Sequence, residues 1–169
     1  MELVDKLKQD GEAKGLCRLW RGKLKPGMSI ENLVKLFIRG IDFCISENYP
    51  TLEFMRANFK GKCEQYGAFV DDEVKDRKNA PDTVLNGDCK AMLEYDGFTV
   101  SRIFVRHNSQ AAIIASDNAI VTIDAFNNAN MAVATAGGNA QIYVNLYGNA
   151  QVECIGLGIH VNKMNKETY

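Results

Sequence analysis

Positive charge is missing from a long part of this chain: from His107 to Asn162 there is no lysine and no arginine. The same stretch carries only the carboxylates Asp117, Asp124 and Glu153. A disordered polar tail is excluded there, because the segment also holds a regular series of Val, Ile and Ala that demands burial. Net charge is nearly absent overall, at −1 over 169 residues, which removes any global pull toward nucleic acid or an anionic membrane. The imbalance is local: residues 1–80 carry 15 Lys and Arg against 13 Asp and Glu, and residues 81–169 carry 5 against 8.

Paired cysteines are also lacking. The five (Cys17, Cys44, Cys63, Cys89 and Cys154) are scattered with no C-x-x-C, so neither a zinc knuckle nor a dithiol redox motif is present. Buried free thiols in a cytoplasmic protein are the expectation. Met1–Lys8 is charged and has no apolar signal-peptide core, and no run approaches the roughly 18 apolar residues of a membrane span. Cytoplasmic localisation, no membrane partner and no cofactor are therefore expected.

What is present divides into two halves. The first reads as helical. Leu3, Val4 and Leu7 share a face up to Gly11, and Leu16–Leu24 is a short apolar-basic segment closed by Pro26-Gly27. Ser29 suits an N-cap, and the helix it opens carries Ile30, Leu33, Val34, Phe37, Ile41, Cys44 and Ile45 on one stripe. Pro50 suits the first turn of a further helix ended by Gly61. Residues 71–81 form a charged, Pro-terminated run, which places a connector at 64–82, although Tyr66–Val70 has strand character.

The second half repeats. Asn118-Ala-Ile-Val-Thr-Ile matches the hexapeptides that begin at Asn128, Asn139 and Asn149, at intervals of ten, eleven and ten residues. Weaker copies lie near Asn86, Asp96 and Ser109. Period-two alternation points Ala and two larger apolar residues to one side of each unit, and the Asn or Gly before the Ala supplies a bend. Ten residues suit a strand and a corner, and two units make one flattened coil. The expected fold class is α+β: a helical domain over 1–63, the connector, a parallel β-solenoid of about four coils over 83–160, and a C-terminal tail over 161–169. Identical turn phase disfavours an antiparallel meander.

The strings Gly138-Asn-Ala-Gln-Ile and Gly148-Asn-Ala-Gln-Val resemble the G-N-A-x-V-x-A decapeptide repeats of bacterial and phage β-helix proteins. That resemblance implies the fold type and no single activity. The whole chain is similar to small Bacteroidetes and mobile-element proteins, which implies no mechanism.

Catalysis on a solenoid needs paired carboxylates or a carboxylate beside a cation. Asp124 and Glu153 fall on units of opposite parity and Asp117 on a corner, so solvated surface carboxylates are expected. His107 and His160 have no Cys or Asp at ligand spacing. A Cys154–His160 nucleophile pair is disfavoured, because Cys154 has inward parity. Gly156-Leu-Gly158 is no phosphate loop and reads as the solenoid's exit. Outward ranks of Thr, which ice binding needs, are lacking.

Two surfaces remain. Arg18, Arg21, Lys23 and Lys25 surround Trp20, the single tryptophan, and read either as a binding patch or as a solvated face over a packed indole. Outward residues of the repeats, including Tyr143, form a second surface beside an Ala-rich face. A non-enzymatic binding or assembly protein is the expected function, with a protein partner or a second copy. The alternatives are a small carbohydrate- or nucleotide-acting enzyme using Asp71, Asp72, Glu73, Arg102, Arg106 and His107, and nucleic-acid binding through Arg18–Lys25.

Overall fold

A computed structural model describes residues 2–169 and divides the chain into two compact units between Tyr66 and Gly67. The first unit contains helices α1 (Leu3–Ala13), α2 (Arg18–Lys23), α3 (Ile30–Arg39), α4 (Ile41–Ser46) and α5 (Leu52–Asn58), then a 3-10 turn at Glu64–Tyr66. Among the described residues, no helix is long and apolar enough to cross a membrane. Ser29 caps α3, its hydroxyl accepting from the Asn32 amide at 3.2 Å. The single long helix expected from the stripe is broken at Gly40, where the Trp20 ring packs: a Cβ there would lie 3.4 Å from the indole. Pro50 is not in the first turn of α5. Thr51 is the N-cap, accepting from the Phe54 amide, and Pro50 precedes it.

The second unit is a parallel β-solenoid. Its strands are β1 (Ala68–Val70), β2 (Glu73–Lys78), β3 (Asp82–Asn86), β4 (Lys90–Tyr95), β5 (Val100–Val105), β6 (Gln110–Ser116), β7 (Ile120–Ala125), β8 (Asn130–Ala136), β9 (Gln141–Leu146), β10 (Gln151–Ile155) and β11 (Ile159–Lys163). Odd strands stack in order as sheet A and even strands as sheet B, all neighbours parallel. The array therefore has about five coils over residues 68–163, where four were expected.

The corrections fall at its two ends. The connector expected at 64–82 carries β1, where strand character was noted, and β2 in its charged run, and β11 runs from the expected solenoid into the residues read as a tail. Central coils repeat every 20 or 21 residues, as in Gln110↔Asn130 and Ile120↔Gln141. The terminal coils are tighter, with Ala68 opposite Val84 and Ile159 opposite Ile142, so they leave the sequence period. Gly156–Gly158 is consequently a corner between β10 and β11, not an exit.

Inward side chains stack in columns along the axis. One runs Thr83, Ile103, Ile123, Val144 and another Leu93, Ile113, Val133, and all of these are essentially buried. Each branched aliphatic in such a column contributes about 1.5–3 kcal/mol of burial. Corners are set by left-handed residues: Asp71, Gly87, His107, Asn127, Gly148 and Asn165 occupy one corner with φ between 52° and 78°. Asn, Asp and Gly tolerate this region best, which is why they recur there. The bend thus lies one residue earlier than expected. The Asn of each Asn-Ala pair serves the corner differently, through its side chain. Asn149 donates to Asn128, Asn128 to Asn108 and Asn108 to Asp88, forming a ladder along the corner.

Candidate functional site

In the helical unit, the segment around Trp20 is partly self-satisfied. Trp20 is half-buried, and the Lys23 ammonium sits 4.0 Å from its ring centroid. Arg21 pairs with Glu12. Arg18, Leu19 and Lys25 are exposed. Two of the four cations expected to form a binding patch are therefore engaged within the unit, and only Arg18 and Lys25 project from it.

In the solenoid, the residues named for an enzymatic site are spread along the fold and serve it. Arg102 points along the outer face of sheet A to Asp82, 2.7 Å away. Arg106 is buried at the corner and donates to the Asn86 side chain at 2.9 Å. His107 holds a left-handed corner position, its Nδ1 accepting from the Gly87 amide at 2.9 Å. Asp71 accepts from the Asp88 amide, Asp72 from the Val70 amide, and Glu73 pairs with Lys75. Arg102 and His107 stand five residues apart on an extended segment, about 16 Å at strand rise, so Arg102 lies away from the corner that holds Asp71, Arg106 and His107.

The repeat carboxylates are separated too. Asp124 lies on sheet A, accepting from Asn145 at 2.7 Å, and Glu153 lies on sheet B opposite Ala132. Asp117 is a corner residue that accepts from the Gly97 amide. Among the described residues, no group of three His, Cys, Asp or Glu is placed to hold a metal ion.

Tyr143 and His160 are brought together on the outer face of sheet A. Their rings stack with centroids 4.8 Å apart, and His160 Nε2 lies 2.9 Å from Gln141 Oε1. Asn162 donates to Asn145 beside them, continuing the ladder to Asp124. Cys154 has inward parity, as expected, yet it is exposed, because among the described residues β10 is the end strand of sheet B. Partial burial nevertheless raises its thiol above the ordinary value. Cys154 and His160 belong to different sheets and make no pair.

The outer face of sheet B is poor in charge at its centre and carries Lys90, Glu94 and Glu153 towards its ends. Aligned registers place Met92, Ala112 and Ala132 in one row and Ile114, Ala134 and Ile155 in the next. Met92, Ile114 and Ile155 are exposed, and the row that flanks them is polar: Lys90, Gln110, Asn130 and Gln151. At the C-terminal end this face meets Leu157, 88% exposed, and Ile155, 75% exposed. Sequence reasoning identified the Ala-rich face but missed its apolar end. The strand of sheet A beyond Gly158 was missed as well, although Ile159, Val161 and Lys163 alternate with His160 and Asn162 there.

The polar groups of the solenoid are thus largely committed to ladders and corners, whereas its apolar outward groups are not committed. No family model, no curated protein and no solved structure matches the chain. The function of this surface rests on its own chemistry.

Proposed function

We propose that this protein is a non-enzymatic binding and assembly protein: a rigid solenoid whose sheet B face docks a protein partner, with the helical unit as a second docking or oligomer-forming element. The observation that carries this reading is the exposed apolar group of Met92, Ile114 and Ile155 over small alanines, bordered by Lys90, Gln110, Asn130 and Gln151 and closed at opposite ends by Glu94 and Glu153. Its centre, from Ala112 and Ile114 to Ala132 and Ala134, carries no charge, and an exposed apolar sheet surface is matched to protein cover. A polar rim around an apolar centre is the usual anatomy of such a contact.

The test replaces Met92→Lys and Ile114→Lys together. Both side chains point outward, so the β-sheet circular dichroism should be unchanged. The wild-type chain, recovered from its native host, should retain a specific protein under stringent washing, and the double variant should lose it. Equal retention by the variant sinks the reading.

A further inference from the structure

A register break in the first coil aims a cation at the interior of the solenoid. Val74 stands opposite Ala91 and Arg77 opposite Leu93, so β2 uses three residues where β4 uses two. Asp76 takes up the extra residue at φ 55° and is exposed. Regular alternation from buried Val74 would turn Asp76 inward and Arg77 outward. The bulge exchanges them, re-aiming the side chain that follows it. Arg77 is half-buried, with its guanidinium 5.0 Å from the Phe69 ring centroid. Its Nε donates to the Thr83 hydroxyl at 3.0 Å and its Nη2 to the Asp82 carbonyl at 3.3 Å. Gly67 leaves room beside it: a Cβ there would lie 3.4 Å from Nη2. Among the described residues no carboxylate pairs with this cation, and Asp82 turns its own carboxylate outward to Arg102. Burial holds the guanidinium below the ordinary arginine value, opposed only by the Tyr95 phenol.

Two hydroxyls at the same end of the interior lack a partner. Tyr95 ends β4 with no exposure, and its Oη makes no hydrogen bond among the described residues. Burial raises this phenol, while the nearby Thr83 hydroxyl and the Arg77 charge pull it down. Ser101, 2% exposed, stands two residues before Ile103, which faces Thr83 across the ladder, and its Oγ is unpartnered too. Tyr95 and Ser101 flank the corner between β4 and β5, which stacks on the corner flanked by Arg77 and Thr83. The nearby acceptors, Thr83 Oγ1 and the Asp82 carbonyl, are both taken by Arg77. What remains is a surplus of donors around a half-buried positive charge.

We infer that the first two coils hold one chloride-sized monovalent anion, bound by the Arg77 guanidinium and the hydroxyls of Thr83 and Tyr95. Donors without acceptors around a cation are the recognition chemistry of an anion, and charge-assisted hydrogen bonds to it are the stronger kind. A water molecule would accept from the hydroxyls but leave the inward cation without a counter-charge. The buried columns beside the site, with Leu93, Ile103 and Ile113, are close-packed and admit only a small guest. The anion ties β2 and β3 to β4 and thereby fixes the first coil to the second. This site is independent of the docking reading for sheet B.

Urea unfolding of the full chain, followed by its far-ultraviolet β signal, is compared in sodium chloride and in sodium gluconate of equal ionic strength. Gluconate is also monovalent but too large for the interior. The midpoint should be higher in chloride, and bromide should substitute for it. Above half-saturation, each tenfold rise in chloride should lower the unfolding equilibrium constant about tenfold, as a single site requires. Tyr95→Phe keeps the ring and removes the donor, and should raise the half-saturating chloride concentration at least about fivefold. Arg77→Met should abolish the dependence. Arg102→Met, which removes an exposed cation of the outer face, should leave it unchanged. Equal midpoints in chloride and gluconate overturn the inference and leave the hydroxyls an internal water only. An unchanged chloride dependence in Tyr95→Phe, or its loss in Arg102→Met, overturns it by placing the anion elsewhere. If Arg77→Met does not fold, the wild-type and Tyr95→Phe titrations decide.

Discussion

Gly138 turns the corner between β8 and β9 with φ +66°, and a Cβ there would lie 2.5 Å from the Asp117 carbonyl oxygen and 2.7 Å from its Cα. Its neighbour Gly137 has φ +69° but nothing within 4 Å. The pair separates two effects that usually travel together. Gly137→Ala meets only the left-handed penalty, about 1 kcal/mol. Gly138→Ala adds a collision with the backbone of the coil below and should cost about 2–4 kcal/mol. Urea titrations of the two variants check this, and equal losses would show that the close approach does not matter. The same scale explains the place of His107 in the fold. A histidine at φ 61° in a row of Asn and Gly is a corner residue, and its ring hydrogen-bonds the neighbouring corner.

Each coil is stable only against its neighbours, because a single rung cannot bury its inward side chains alone. Ile123 lies between Ile103 and Val144 in a column without exposure, and Ile123→Ala should remove about 2–5 kcal/mol through lost burial and a cavity. Val161 occupies the same column one coil beyond Val144 but is 42% exposed, so Val161→Ala should change stability by less than about 1 kcal/mol. Denaturant midpoints for the two variants test the contrast, and a large loss at Val161 would mean that the terminal coil is better covered than its exposure indicates. The two edges of sheet B differ in regularity: β2 breaks register with β4 between Val74 and Arg77, whereas β10 keeps register with β8 throughout.

Over the whole molecule, three buried acids make both units sensitive to alkali. Burial pushes Tyr49 of the helical unit far above its ordinary value, where its hydroxyl also donates to the Leu7 carbonyl at 2.7 Å. Burial likewise raises Tyr95 and Cys89 inside the solenoid. These groups fold in their neutral form. Their contribution is fully present below the unfolded pKa values, near 8.5 for Cys and 10 for Tyr, and is lost as pH rises toward the folded ones. Each group should remove about 1.4 kcal/mol per pH unit within that window. Trp20 fluorescence reports the helical unit, and far-ultraviolet β signal reports the solenoid. The helical transition should weaken above pH ~10, and Tyr49→Phe should flatten that loss; an unchanged slope in the variant would assign the effect to another group.

The inward-outward alternation of Val, Ile and Ala, the ten-residue interval and the turn residues were legible because each is a local property with a fixed period. From them followed the solenoid, its two faces and the neighbours across each rung, including Thr122 beside Tyr143 and Ala132 beside Glu153. The terminal coils were hard to read because their shorter spacings leave that period and β2 is charged. Gly40 hid its role for another reason: the break between α3 and α4 coincides with an indole 20 residues away in the chain. Side-chain parity at Cys154 was readable, but exposure was not. Sequence alone determined the repeat and the side to which each residue points. Only the tertiary structure decided where the stack stops, since burial of an inward residue depends on whether another coil lies above it.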